Sequence, residues 1–190
     1  MSEECPSYLG QLRVVHPDGE RCPRAVRDAA STLPDLEAKV RPKRGDGHCL
    51  YRPRKNLPSN EKWKTQALEL RRQLADFQRM SPDVVSFGGA NETYSSRATA
   101  VFGVSLIAYT GSTKASNADP MFGGLFEIDA FAKITSRKVI IYEATDVSDR
   151  FKAWASISPK SPKNKTVHVA FKAKGLFSHY DYLEPVVTPW

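Results

Sequence analysis

"RGDGHCLYRP", residues 44–53, is the stretch on which the fold of this chain turns. Two glycines flank an aspartate, and Cys49 follows ahead of an apolar-aromatic pair and Pro53. Gly45 and Gly47 open backbone conformations closed to other residues, so the chain can bend sharply and leave amide N–H groups facing a cleft. If a helix begins near His48, its unpaired N–H groups and the positive end of its dipole lie beside the sulfur. That setting lowers the thiol pKa, favours the thiolate and supplies donors for an oxyanion. The same residues also read as a tight turn before a buried, inert cysteine, since free cysteines are usually buried.

A second stretch, "SHYDYLEP" at 178–185, bears on that choice. On a strand, residues two apart face the same side, with Cα atoms about 6.6 Å apart. His179 and Asp181 then share one face, with Tyr180 and Tyr182 on the other. A carboxylate so placed accepts from one imidazole nitrogen and fixes the tautomer, leaving the other nitrogen for a nucleophile. The competing reading is a polar strand face. Cysteine-hydrolase partners commonly lie this far apart in sequence and meet only in the fold.

Between the two ends, Trp63, Ala67, Leu70, Leu74 and Phe77 recur at steps of four and three, which predicts a helix from Pro58 to Ser81-Pro82. Ser59 or Asn60 can cap it, with Glu61 in its first turn. Leu125, Ile128, Phe131 and Ala132 predict a second helix starting just past Gly123-Gly124 and running into the β-branched strand "KVIIYEA". "TVHVAFK" alternates as a strand, a Lys174-Gly175 turn follows, and "FSHYDYLEPV" returns as its hairpin partner. Residues 88–120 mix helix and strand signals, and "TGSTKASNADP" (110–120) predicts a loop. The first forty residues, punctuated by Pro6, Pro17 and Pro23, read as an N-terminal extension with one short helix in "CPRAVRDAAS". Residues 41–190 then form one domain. Helix between strands plus a C-terminal antiparallel pair predicts an α/β (α+β) fold, a small mixed sheet sandwiched between helices.

Composition narrows the function classes. The chain has 190 residues, 41% hydrophobic and 26% charged, ordinary for one folded domain. Its apolar runs are too short to span a bilayer, and "MSEECPSYLG" has neither the basic nor the apolar region of a secretory signal, so a cytoplasmic protein without a membrane partner is expected. Cys5, Cys22 and Cys49 are an odd, widely spaced set, unlike a disulfide framework. Cys5, His16 and Cys22 lack zinc-ligand spacing, so no metal is expected. A net charge of +7 could suit nucleic acid. The basic residues are scattered, however, without interleaved stacking aromatics, so a solvated surface is the expectation rather than a nucleic-acid partner.

Taken together, "GDGHCLYR" and "HYDYLEP" resemble the two signature blocks of the ovarian-tumour (OTU) family of cysteine proteases, whose members cut ubiquitin from proteins. A third block, "MFGGLFEIDAFAKITSRKVIIYE", resembles the family's aromatic-Gly-Gly segment with its helix and following strand. The blocks come in family order and cover roughly residues 43 to 185. The resemblance implies a single papain-related domain acting as a deubiquitinase, with no cofactor and ubiquitin, polyubiquitin or a ubiquitin-like modifier as partner. A monomer is expected. Cys49 would be the nucleophile, His179 its general base and Asp181 the residue orienting His179, although Asp46 remains the alternative third member. Asp46 would otherwise help build the oxyanion hole with the backbone N–H groups of residues 46–49. His48, Phe122, Gly123 and Gly124 would line the substrate channel.

The chain departs from the family pattern at three positions. His48 stands where many members carry Asn, and Phe122 where Trp is usual. Pro53 falls near the fifth position of a helix opened by Cys49, where it removes an i→i−4 bond and clashes with the carbonyl of residue 49, at a cost of about 3 kcal/mol in a regular helix. A shift near 1 Å in the nucleophile costs on the order of a hundredfold in rate. The alternative function is therefore a catalytically weak or inactive ubiquitin-binding module of the same fold.

Overall fold

Among the described residues, the framework is a five-stranded sheet that closes on itself, with strands in the order β1-β3-β2-β4-β5. In this computed structural model the described residues are 30–41, 62–81, 93–114, 124–174 and 177–186. The strands are β1 (Leu36–Arg41), β2 (Arg137–Ala144), β3 (Arg150–Ile157), β4 (Lys163–Lys174) and β5 (Phe177–Pro185). The described helices are α1 (Lys62–Met80), α2 (Tyr94–Phe102), α3 (Leu106–Lys114) and α4 (Leu125–Thr135). Among the described residues, only β2 and β4 run parallel; the other pairs are antiparallel. The fold is thus mixed α/β, with a small mixed sheet flanked by helices.

Two clusters fill the two sides of the sheet. Val139 and Ile141 of β2, Val169 and Phe171 of β4, and Tyr180 of β5 pack with Leu74 of α1, Tyr94 of α2, Tyr109 of α3 and Ile128 of α4. The intervening residues Ile140, Tyr142, Ala170 and Leu183 form the other cluster with Ala38 and Phe151. Strand alternation produces this division, and closure turns the second face inward. Small side chains suit that enclosed face: Ala38, Ala153 and Ala170 all lie on it.

A bulge reconciles β3 with both clusters. Ile141 pairs with Ala155 but Tyr142 pairs with Ala153, so Trp154 is the extra residue in the ladder. One inserted residue reverses which positions face which side. Phe151 and Ala153 therefore belong to the inner cluster, whereas Ala155 and Ile157 face the helices. Trp154 stacks on Phe171 with ring centroids 6.2 Å apart.

The long helix, the helix after Gly124 and the three predicted strands all lie where the spacing places them. The caps of α1 fall outside the described residues, as does Gly175 of the expected turn, whose Lys174 ends β4, and most of the short N-terminal helix; Ala30 and Ser31 are helical. Two elements differ from expectation. Leu36–Arg41 is a strand, set between β3 and β5: Val40 lies opposite Leu183 and Leu36 opposite Phe151. And Thr110–Lys114, predicted to be loop, completes α3. Thr110 is buried, and its Oγ1 donates to the Leu106 carbonyl at 2.7 Å while accepting from Arg79 Nε of α1. Tertiary contacts hold a helix that its sequence favours little. Among the described residues, no helix is long and apolar enough to cross a membrane.

Candidate functional site

β5 carries the two C-terminal candidates. It is paired on both edges, with β4 over Phe177–Tyr182 and with β1 over Tyr182–Pro185. His179 lies opposite Lys172 and Asp181 opposite Ala170, so the two positions share one side of a strand fixed in register. Tyr180 and Tyr182 pack with the helix-facing cluster, which leaves Asp181 on the inner face with Leu183. Ala170 is in turn opposite Tyr142, so Tyr142, Ala170 and Asp181 form one row across three strands. Asp181 is only 2% exposed, yet it is not isolated and takes part in a further interaction. A buried carboxylate on a strand paired along both edges holds its direction.

The same inner face carries a second polar pair. The Tyr142 hydroxyl and His168 Nδ1 share a hydrogen bond of 3.0 Å. Burial pushes the Tyr142 phenol up to about 12.

Gly124, the one described member of the aromatic-Gly-Gly segment, is buried at the start of α4. Its N–H donates to Glu127 Oε2 at 2.7 Å, and its carbonyl accepts from Ile128 N at 3.0 Å. Glu127 thus performs half of a capping box, reaching back from the third helical position; glycine has no side chain for the other half. The second carboxylate oxygen, Oε1, accepts from the Tyr109 hydroxyl of α3 at 2.7 Å. Burial raises the Glu127 carboxyl above its ordinary value, and the hydrogen bonds from Gly124 and Tyr109 oppose that rise. Gln78 of α1 adds a weaker favourable contribution, although its buried Nε2 falls outside hydrogen-bond geometry. Glu127 also borders a narrow apolar gap of about 10 Å³ between α1, α4 and the sheet, lined by Leu70, Leu74, Val139 and Val169 among others.

Two residues on, Asp129 is likewise a buried carboxylate met by a tyrosine hydroxyl. It is fully buried, accepts from the Tyr94 hydroxyl and pairs with Lys133 Nζ at 3.0 Å. Lys133 lies 5.0 Å from the centre of the Tyr94 ring. The N-terminal half of α4 is buried almost all round, so acidic residues there persist only with partners. Edge-to-face contacts of Phe126 with Tyr94 and Tyr109 join the two carboxylate sites.

Of the residues singled out from the sequence, Asp181 and Gly124 are therefore placed fully and His179 by its backbone. Cys49, Asp46, His48, Phe122 and Gly123 lie outside the described residues. Sequence reasoning passed over Glu127 and Tyr109. The signal for Glu127 was present, an acidic residue three positions after a helix-opening glycine; Tyr109 carries none, because only the fold brings α3 to α4.

No protein-family model matches the sequence, and no curated protein matches it significantly. The fold does match solved structures. The OTU domain of Hazara virus, solved bound to ubiquitin, superposes with a TM-score of 0.52 at 20% identity, covering 82% of this chain and 88% of that one. The OTU-domain protease of Taggert virus gives 0.52 at 18% identity, over 82% of this chain and 87% of that one. The corresponding protease of Dera Ghazi Khan virus gives 0.51 at 14%, over 81% and 87%. At these identities the likeness is one of fold.

Proposed function

We propose that this chain is a cysteine-dependent deubiquitinase that hydrolyses peptide or isopeptide bonds at the C-terminus of ubiquitin. The observation that carries this reading is the placement of the His179-x-Asp181 pair on β5, doubly paired and with Asp181 buried, in a fold shared with viral OTU-domain proteases. Cys49 is assigned as nucleophile, His179 as general base and Asp181 as its orienting partner. Asp46 and the N–H groups of its loop serve the oxyanion hole.

In the first step the Cys49 thiolate attacks the carbonyl carbon of the terminal glycine of ubiquitin, having passed its proton to His179. The tetrahedral intermediate collapses, the amine leaves with the proton from His179, and a thioester remains. Water then attacks the thioester with His179 taking its proton, which frees the carboxylate and restores the thiol. Asp181 holds the imidazole in the tautomer that both steps need and stabilises the imidazolium between them. The chain is assigned to the cytoplasm, where a reducing environment keeps Cys49 a thiol.

Ubiquitin with a C-terminal electrophile tests the assignment. Wild type should form a covalent adduct and Cys49→Ala should not; absence of an adduct with wild type overturns the hydrolase reading. Pro53 favours a second reading, a binding module of impaired catalysis. Ubiquitin binding without labelling, with labelling restored by Pro53→Ala, would establish that reading instead.

A further inference from the structure

We propose that Arg137 and Lys163, side by side on the parallel strands β2 and β4, form with Lys160 a face that binds the phosphate backbone of duplex nucleic acid. The face lies wholly within the described residues and is independent of the hydrolase reading.

Among the described residues, formally charged side chains stand opposite one another at four ladder positions. Glu37 lies opposite Arg150, Lys39 opposite Glu184 and Glu143 opposite Lys152, each a pair of opposite sign. Arg137 lies opposite Lys163, like against like. Like charges directly across a ladder are destabilising. A local rule kept at three positions and broken at a fourth marks a place where a partner supplies the missing charge.

The backbone holds the two cations there. Ser136, the left-handed residue ending α4, accepts from the Lys163 N–H at 2.6 Å, so the start of β4 is tied to the turn leading into β2. Arg137 and Lys163 are exposed, as is Lys160 in the link from β3. None of the three forms an ion pair within the described residues. Lys133, in the last turn of α4, is by contrast neutralised by Asp129. Parallel pairing gathers what the sequence scatters, so the basic residues read along the chain give no sign of this face.

Neighbouring strands lie about 4.8 Å apart, so both cations can reach one phosphate or two successive ones. Duplex nucleic acid fits best, because its backbone is a continuous row of anions gripped without base contacts. Single strands are held by stacking on aromatic rings. Among the described residues, the exposed large hydrophobic side chains include no aromatic ring. An acidic protein would bury an apolar centre inside its charged rim, and the adjoining turn of α4 offers for that only Ile134, 39% exposed. The net charge of +7 draws a polyanion toward the molecule as a whole.

The test uses the full chain and duplexes of about 20 base pairs, one of DNA and one of RNA, with affinity read by fluorescence anisotropy from about 50 to 200 mM salt. Arg137→Ala and Lys163→Ala should each weaken binding about fivefold or more and flatten the log–log salt slope by about 0.9. Lys152→Ala removes the same charge from a matched pair at the far end of β2 and should change affinity by less than about twofold. Lys163→Glu should weaken binding by about tenfold or more and raise Tm by about 1–4 °C, because it gives Arg137 a partner of opposite sign. A merely solvated face would show the gain in Tm without the loss of binding. Binding of either duplex in this pattern supports the proposal, and the tighter one identifies the source of the backbone. Absence of wild-type binding at about 50 mM salt, an equal loss in Lys152→Ala, or a lowered Tm in Lys163→Glu overturns it. So does poly-glutamate binding as tight as the duplex and as sensitive to Arg137→Ala, which would make the face a dock for acidic protein. Should Lys163→Glu not fold, Arg137→Glu is judged by the same outcomes.

Discussion

The Tyr94 hydroxyl donates to Asp129 Oδ2 at 2.5 Å, so a phenol on α2 ends on a fully buried carboxylate of α4. Lys133 neutralises the same oxygen from the next turn. Tyr94→Phe removes one donor and leaves the ion pair, so a loss of about 1.5–3 kcal/mol is expected. Asp129→Ala removes the carboxylate that both the largely buried Lys133 ammonium and the Tyr94 hydroxyl face, and about 3–5 kcal/mol is expected. Urea unfolding of the two variants gives the comparison. Equal losses would mean that the ion pair contributes nothing beyond the phenol.

Two backbone positions carry the opposite residue from the one stability prefers. Ser136 caps α4 with φ 52°, a left-handed conformation that costs an L-residue roughly 1–2 kcal/mol. Gly111 sits inside α3, where an added Cβ would meet only Arg79 Nη2, at 3.9 Å. Ser136→Gly and Gly111→Ala should each stabilise by about 0.5–1 kcal/mol. Thermal melts check both. A destabilised Gly111→Ala would show that α3 needs its glycine for something other than helix formation.

Stability should depend on pH through Glu127 in a defined direction. Burial raises its carboxyl above the ordinary 4.5. A raised folded-state pKa means that stability is fully present below the unfolded value and is lost as pH rises through the folded one. Glu127→Gln has no such titration. Measured by urea unfolding from about pH 4 to about pH 8, wild type should be strongest relative to Glu127→Gln at the acid end and lose ground as pH rises. A difference that does not change with pH would place the folded pKa at its ordinary value.

For the proposed hydrolase, Asp181→Asn is the sharpest catalytic test. The amide fits the same buried space opposite Ala170 but favours the wrong imidazole tautomer. A fall in kcat on the order of 10³-fold or more is expected, with ubiquitin binding retained. If Asp46→Asn lowers kcat in its place and Asp181→Asn does not, the third member lies in the cysteine loop.

Much of the fold is legible in the sequence wherever periodicity and burial coincide. Ala67, Leu70, Leu74 and Phe77 repeat at helical spacing because one face of α1 packs on the core. Tyr180 and Tyr182 alternate with Asp181 because β5 separates two environments. β1 escaped although "LEAKVR" alternates Leu36, Ala38 and Val40 with charged residues, because the signal spans only six residues in a stretch read as an extension; pairing on both edges fixes it as a strand. α3 escaped because "LIAYTGSTK" holds glycine and β-branched residues, and buried contacts of Tyr109 and Thr110 override that local preference. The candidate site divides in the same way. His179 and Asp181 follow from strand period, whereas the pairing of Tyr109 with Glu127 depends on two helices meeting.

Closure of the sheet also sets an order of events during synthesis. β1 is translated well before β5, and its Val40 waits for Leu183, so the residues between them must leave the ribosome before that edge is covered. Contacts so remote in sequence form slowly. The strand that bears His179 and Asp181 is thus the one that finishes the ring: β4 sets the register of those two residues, and β1 clamps the strand further along, at Tyr182–Pro185.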